Sequence, residues 1–338
     1  MNSKSARVRD SSLDLLCGIL ISYMIIYHAY IWCPITKSII IEIFDKIFFF
    51  FMPWFYYKSG MFNKKESTKE IAITNTKKLL FPFIIYTVMG EIVLWLCINL
   101  RNEGEFDIIK YLVSSLKCLI IQGSTIGNQP LWFLVSLYIT KVSFSFLRNK
   151  NIPTTIILLL SFIAGWISSY TGAYINGRFL IPYLFMSSTI GITFYGLGTL
   201  LHRIQYTKVV FFVASIIYIS IILLLPSQVD VRLNMLKQGS WIAFMVSSLA
   251  GIIVANNLAR LKILQFPFLI SIGNNSLSYY CFHWILFYLT TTICGNFNSD
   301  NYYLLTVLYI VSTFFLPIYA YWVWLLKKHS SPNHKLYL

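Results

Sequence analysis

Apolar residues in this chain come in long runs, without the alternation of a half-buried strand or a heptad stripe. Ten runs are about 20 residues long, enough to cross a hydrocarbon layer about 30 Å thick. They lie at roughly 13-33, 39-57, 79-98, 131-147, 153-170, 179-201, 209-225, 240-257, 275-294 and 303-326. The breaks between them are short, apart from 58-78, read as a polar loop, and 99-130. The latter holds FDIIKYLVSSLKCLII, whose pattern suits an amphipathic helix lying on a membrane surface. It ends in QGSTIGNQPLWF, a polar stretch that sets Pro130 at the first turn of the fourth run, a helix-start signal. Gly and Pro also interrupt FFFFMPWFYYKSG, KLLFPFIIY and ISIGNNSLSYY, where neighbouring helices must satisfy freed backbone groups. The pattern predicts an all-α integral membrane protein, one domain over 1-338 built as a single bundle of about ten transmembrane helices. No internal repeat suggests the inverted halves of a secondary transporter.

Composition agrees. The chain is 57% hydrophobic and only 12% charged, against roughly 25% charged in an ordinary soluble domain. The net charge of +15 invites a nucleic-acid reading, but the cations sort by membrane side instead of forming a patch. With the N-terminus in the cytoplasm, the inner segments carry eighteen Lys and Arg and the outer segments seven. Both termini are therefore expected in the cytoplasm, with the protein a multi-pass component of the plasma or inner membrane. The first run follows Lys4, Arg7 and Arg9 as a signal peptide would. It is too long for one and lacks a small-residue cleavage site, so it is expected to stay as the first helix. Six cysteines lie in or beside apolar runs without metal-ligand spacing, so neither a disulfide framework nor a metal site is assigned.

Ionisable residues at membrane depth are costly and mark candidate sites. At a rise of 1.5 Å per residue, His28 lies about 22 Å from the inner start of its helix and Glu91 about 18 Å from the same side. His283 lies about 12 to 20 Å in, and Asp45 about 9 Å below the outer end of the second run. A histidine with carboxylates at similar depth has the composition of a general-base site. The same residues also serve structure: an intramembrane His can bond across helices, and Asp45, Glu91 and Lys141 can form structural ion pairs. Ser276 and His283, seven apart, share a helix face, which is expected to point toward the His28 cavity beyond a helix start at IGNNSL. Trp132 is expected at the outer mouth of that cavity, where an interfacial anchor is the ordinary role of an indole.

Four stretches together resemble the type 3 membrane acyltransferase family over nearly the whole chain. LDLLCGILISYMIIYH is similar to the family's helix-one signature and FFMPWFYYKSGMF to its MPLFFFLSG segment. PLWFLVSLYI is similar to its WFL segment, and IGNNSLSYYCFHWILF to its closing IG..SL..Y..H segment. The resemblance implies transfer of an acetyl group from acetyl-CoA to a sugar hydroxyl of a surface polysaccharide or its lipid-linked precursor, as in the short sugar O-acetylases. Acetyl-CoA is then a co-substrate, and no tightly bound cofactor is implied. The partners are the acyl-CoA, the glycan and membrane lipids. The family's helix-one His is regarded as the catalytic base, and His28 occupies its place, with Asp45, Glu91 and His283 as possible support and Trp132 and Ser276 as acceptor or cavity residues. The pattern is broken in three places. Cys17 stands where the family usually has Arg, Lys58 where it has an apolar residue, and Phe51 where it often has His. Lys58, Arg7 and Arg9 are candidate substitutes for the missing cation toward the donor phosphates. A polytopic glycan transporter, flippase or polymerase without acyl transfer is the alternative that composition leaves open.

Overall fold

The structure is a computed structural model that describes residues 10–32, 39–64, 66–100, 107–174, 183–293 and 307–315. Helix dominates because in hydrocarbon every backbone N–H and C=O must be satisfied within the chain. The helices are α1 (Ser11–Trp32), α2 (Ile39–Phe48), α3 (Phe51–Met61), α4 (Thr68–Asn75), α5 (Phe81–Leu100), α6 (Ile108–Gln122) and α7 (Trp132–Asn149). They continue as α8 (Thr154–Tyr174), α9 (Tyr183–Leu201), α10 (Lys208–Leu224), α11 (Trp241–Leu258), α12 (Pro267–Asn274) and α13 (Ser276–Ile293). Residues 307–315 are also helical. Among the described residues, four stretches are long and apolar enough to cross a membrane: Ser11–Ile31, Thr68–Leu100, Ile108–Asn149 and Trp241–Leu258. Thr154–Tyr170, Phe185–Leu201 and Lys208–Leu224 are shorter apolar helices.

Close helix contacts use glycine. A Cβ on Gly18 of α1 would collide with the Leu269 carbonyl of α12, and one on Gly273 with the Asp14 carbonyl. Without side chains there, the two backbones meet directly, the usual way helices associate where lipid offers no hydrophobic drive. The near side of the bundle, where α1 starts, and the far side, where it ends, differ in what covers them. On the near side, Trp54 Nε1 donates to Asn256 (2.8 Å), whose amide donates to Gln205 (2.9 Å) in a buried polar network. On the far side sits an antiparallel hairpin, β1 (Gln228–Asp230) and β2 (Met235–Gln238).

That hairpin is a small addition to a nearly all-α structure, and some boundaries differ from the expected runs. Residues 58-78 are not simply a loop. Ser67 and Glu70 form a reciprocal capping box that starts α4, and a π-helical turn at Thr76–Leu80 joins it to α5. The second run breaks at Phe49 and Phe50, with Pro53 tolerated in the first turn of α3, where N–H groups have no helical partner. The closing motif does begin a helix: α13 starts at Ser276, within IGNNSL, after a break at Asn275, whose amide donates back to the Ser271 carbonyl (3.0 Å), and the short helix α12 from Pro267 precedes that break.

Candidate active site

His28 lies in the penultimate turn of α1, half-buried. The fully buried His283 approaches it from α13: His28 Nδ1 and His283 Nε2 are 2.9 Å apart, with the rings nearly coplanar at 7°. The other nitrogen of His283, Nδ1, is 2.7 Å from the backbone carbonyl of Tyr280. A carbonyl only accepts, so Nδ1 of neutral His283 carries the proton and its Nε2 presents a lone pair. His28 must then donate through Nδ1, which leaves Nε2 of His28 as an unprotonated acceptor. Trp284 packs edge-on against the His28 ring at 5.5 Å and helps hold its plane.

His28 lines a cavity of about 340 Å³, together with Tyr27, Asp45, Gln129, Trp132 and Trp284. The hairpin forms part of the wall through Gln228, Asp230, Arg232 and Lys237. Asp45 of α2 accepts from the Tyr23 hydroxyl (3.0 Å) and from Gln228 Nε2 (3.2 Å), tying α1 and the hairpin together. Lys237 pairs with Asp230 at 3.2 Å, and Arg232 donates to Gln122 and Ser124 beyond α6. Asn234, in the left-handed region at φ 47°, turns the hairpin. Its buried amide donates to the Gly165 carbonyl (2.8 Å) and accepts from Trp241 Nε1 (2.9 Å), which anchors the hairpin to α8 and α11.

A further part of the wall, Gln129 and Pro130, comes from the segment Ile126–Leu131, which runs as 3-10 turns. Glu91 of α5 accepts from the Gly127 N–H (2.9 Å), the Ser115 hydroxyl (2.7 Å) and the Tyr111 hydroxyl. Asn128 Nδ2 donates to the Cys281 carbonyl (3.0 Å), Tyr288 to the Ile126 carbonyl (3.0 Å) and Tyr280 to the Pro130 carbonyl. Gly127 permits this seating, because a Cβ there would strike the backbone of Gly90.

The type 3 acyltransferase family, described as an acyltransferase domain, matches residues 10–322, which takes in the histidine pair and both parts of the cavity wall. The chain belongs to this family. No curated protein and no solved structure matches it. Family membership and the apolar helices make the protein a membrane acyltransferase, and the transporter and polymerase alternatives fall away.

In this type 3 acyltransferase the candidate residues part company. His28, His283, Asp45 and Trp132 meet at the cavity, since His283 reaches it through its bond to His28. Glu91 makes no hydrogen bond to the pair and instead fastens the Ile126–Leu131 segment. Ser276 lines a second, smaller cavity of about 130 Å³ with Ile21, Leu79 and Leu137; it lies about 10 Å along α13 from His283. The two cavities share Met24, Met52 and Tyr280 as walls. Lys58 sits beside the first turn of α1, 3.5 Å from the Leu13 carbonyl and over the Trp54 ring at 5.1 Å. Arg7 and Arg9 lie outside the described residues. Lys141 donates to Asn75 at 3.0 Å, a polar contact between α7 and α4 in place of an ion pair. The hairpin residues and Gln129 escaped the sequence reading. Their only signal was the polar composition of PSQVDVRLNMLKQGS and STIGNQP.

Proposed function

We propose that this acyltransferase moves an acetyl group from acetyl-CoA to a sugar hydroxyl of a surface polysaccharide or its lipid-linked precursor. It would do so as a single ten-span domain of the plasma or inner membrane with both termini in the cytoplasm. The observation that carries the reading is His28, its tautomer set by His283 so that Nε2 is an acceptor, lining a cavity walled by carboxylates, amides and indoles. Carboxylates and amides bond sugar hydroxyls while aromatic faces cover the apolar faces of the ring, so that lining suits a glycan. The apolar second cavity, which meets the first at Met24, Met52 and Tyr280, suits the acyl-pantetheine arm of the donor.

In this mechanism the acceptor hydroxyl attacks the thioester carbonyl as His28 Nε2 takes its proton. The imidazolium that forms stays bonded through Nδ1–H to His283, which stabilises the charge without itself moving a proton. Collapse of the tetrahedral intermediate breaks the C–S bond, and His28 returns the proton to the departing thiolate. The products are the O-acetyl ester and free CoA. The test compares acetyl methyl signals in the proton NMR spectrum of surface glycan from a deletion strain, the same strain restored with wild type, and one restored with His28→Ala. Acetyl signals are expected only with wild type. Their persistence in the deletion or His28→Ala strain, with protein present, would refute the proposal.

A further inference from the structure

We infer that Gln129 is a second catalytic residue: its amide N–H donates to the thioester carbonyl oxygen and holds the negative charge that grows there as the acceptor attacks. The inference rests on the acyl-transfer reading above. That reading gives His28 the proton but leaves the developing oxyanion without a donor.

The cavity offers few candidates. Gln228 donates to Asp45, Lys237 is paired with Asp230, and Arg232 donates through Nη2 to Gln122 and Ser124, so each is tied to a protein partner even though it carries further N–H groups. Trp284 Nε1 donates to Tyr288 (3.1 Å), and the Tyr280 hydroxyl to the Pro130 carbonyl. Among the described residues, the lining donors that make no hydrogen bond to the protein are Gln129, Tyr27 and Trp132. Tyr27 borders the same cavity from α1, the helix that carries His28, so a loss of turnover in Tyr27→Phe with the Gln129 variants active would move the role to Tyr27. Trp132 begins α7, three residues beyond Gln129.

Gln129 is distinguished by how firmly its backbone is held. The residues on both sides are fastened: Gly127 by Glu91, Asn128 by the Cys281 carbonyl, and Pro130 by Tyr280. Tyr280 is also the residue whose carbonyl fixes the tautomer of His283. One residue of α13 therefore supports both the base and the segment that carries the amide. An uncommitted side-chain amide on a fastened segment that lines the same cavity as the base fits what oxyanion stabilisation requires, a donor in place before charge develops. The electron balance is simple. The C=O π pair moves onto oxygen as the O–C bond forms, and returns as the C–S bond breaks.

The test uses the full chain, purified into lipid nanodiscs. Turnover is followed as free CoA from acetyl-CoA, with a glycan extract of the producing cells as acceptor. Gln129→Glu keeps the shape and removes the amide N–H. It and Gln129→Ala are expected to lower kcat by about 10² to 10³ fold, with the KM for acetyl-CoA within about threefold of wild type. A second readout needs no turnover. In the inactive His28→Ala protein, the infrared carbonyl band of bound [1-¹³C]acetyl-CoA is expected below its position in water-free solvent, and adding Gln129→Glu is expected to abolish the shift. An inactive His28→Ala beside a fully active Gln129→Glu would overturn the role of Gln129 alone. So would a loss seen only in the acceptor KM, an unchanged carbonyl band, or a loss carried by Trp132→Phe but not by the Gln129 variants. An active His28→Ala would instead overturn the reading beneath it.

Discussion

Two ionisable clusters lie within the bundle, and they use their polar groups in opposite ways. Around Glu91, the donors of Gly127, Ser115 and Tyr111 converge on one carboxylate, and the cluster fastens a backbone segment. At His28 the imidazole spends one nitrogen on His283 and keeps the other as an acceptor, on a residue that lines a cavity. Both satisfy the demand that buried polar groups be paired, but only the second keeps a group in reserve for chemistry. Intramembrane charge is thus a poor guide to function unless its partners are counted.

The comparison predicts that variants of the two clusters fail by different routes. His28→Ala is expected to lower acyl transfer by about 10² to 10⁴ fold, the range for a general acid-base group, with little change in the amount of folded protein. Detergent-solubilised yield and CoA release, measured on the same preparation, check this. Glu91→Ala is expected to do the reverse. It leaves the Gly127 N–H and two hydroxyls without their acceptor, each costing about 1 to 3 kcal/mol where water cannot replace it. The fall should appear in thermal unfolding and yield, while the surviving protein keeps a KM for acetyl-CoA close to wild type. Equal loss of specific activity in both variants at wild-type stability would erase the distinction.

The sequence displayed the first cluster better than the second. His28 and His283 stand inside two recognisable motifs at compatible depths, so their meeting was foreshadowed, although helix rotation was not. Glu91 looked equivalent by depth. Its role depends on Gly127 and Ser115, 36 and 24 residues away, and no periodicity reports such a pairing. The hairpin was hidden for a related reason. Its strands are three and four residues long, too short for an alternating pattern to rise above an ordinary polar break. Ser276 shows the limit of face arithmetic: the i, i+7 relation to His283 holds along α13, but seven residues span about 10 Å, and Ser276 borders another cavity.

Asp45 tests an intermediate case, a carboxylate with protein donors that also borders the cavity. Asp45→Asn keeps the size but turns one oxygen into a donor, so it opposes either the Tyr23 hydroxyl or the Gln228 amide. The hairpin wall should loosen, and the KM for the glycan acceptor should rise by about 5 to 30 fold, equivalent to about 1 to 2 kcal/mol, with the KM for acetyl-CoA unchanged. Acceptor titration at saturating donor measures this. A change confined to the donor KM would move Asp45 to the other side of the site.

The smallest effect is expected at Lys58, on the near side, where the family pattern is broken. The position at which the family usually carries Arg is Cys17, and it is only 2% exposed. A guanidinium placed there would have to enter packed core, so Cys17→Arg is expected to destabilise the bundle more than it helps the donor. Lys58 occupies a better place: it is half-buried, beside the first turn of α1, with its ammonium near the Leu13 carbonyl and over Trp54. It can swing from that carbonyl toward an incoming phosphate at small cost, because one backbone acceptor and one ring face hold it. A phosphate contact made equally in ground and transition states alters KM and leaves kcat alone. For a partly exposed pair worth about 0.2 to 1 kcal/mol, Lys58→Ala should raise the KM for acetyl-CoA by roughly 1.5 to 5 fold. The increase should shrink in high salt, where screening over about 8 Å or less weakens the wild-type contact as well. A CoA-release assay across donor concentrations, run at low and high ionic strength, separates the outcomes. A KM that is unchanged at low salt removes Lys58 from the donor site. A lowered kcat with unchanged KM would mean instead that the Lys58 contacts position α1, and through it His28, which would join the near side of the bundle to the chemistry at the far side.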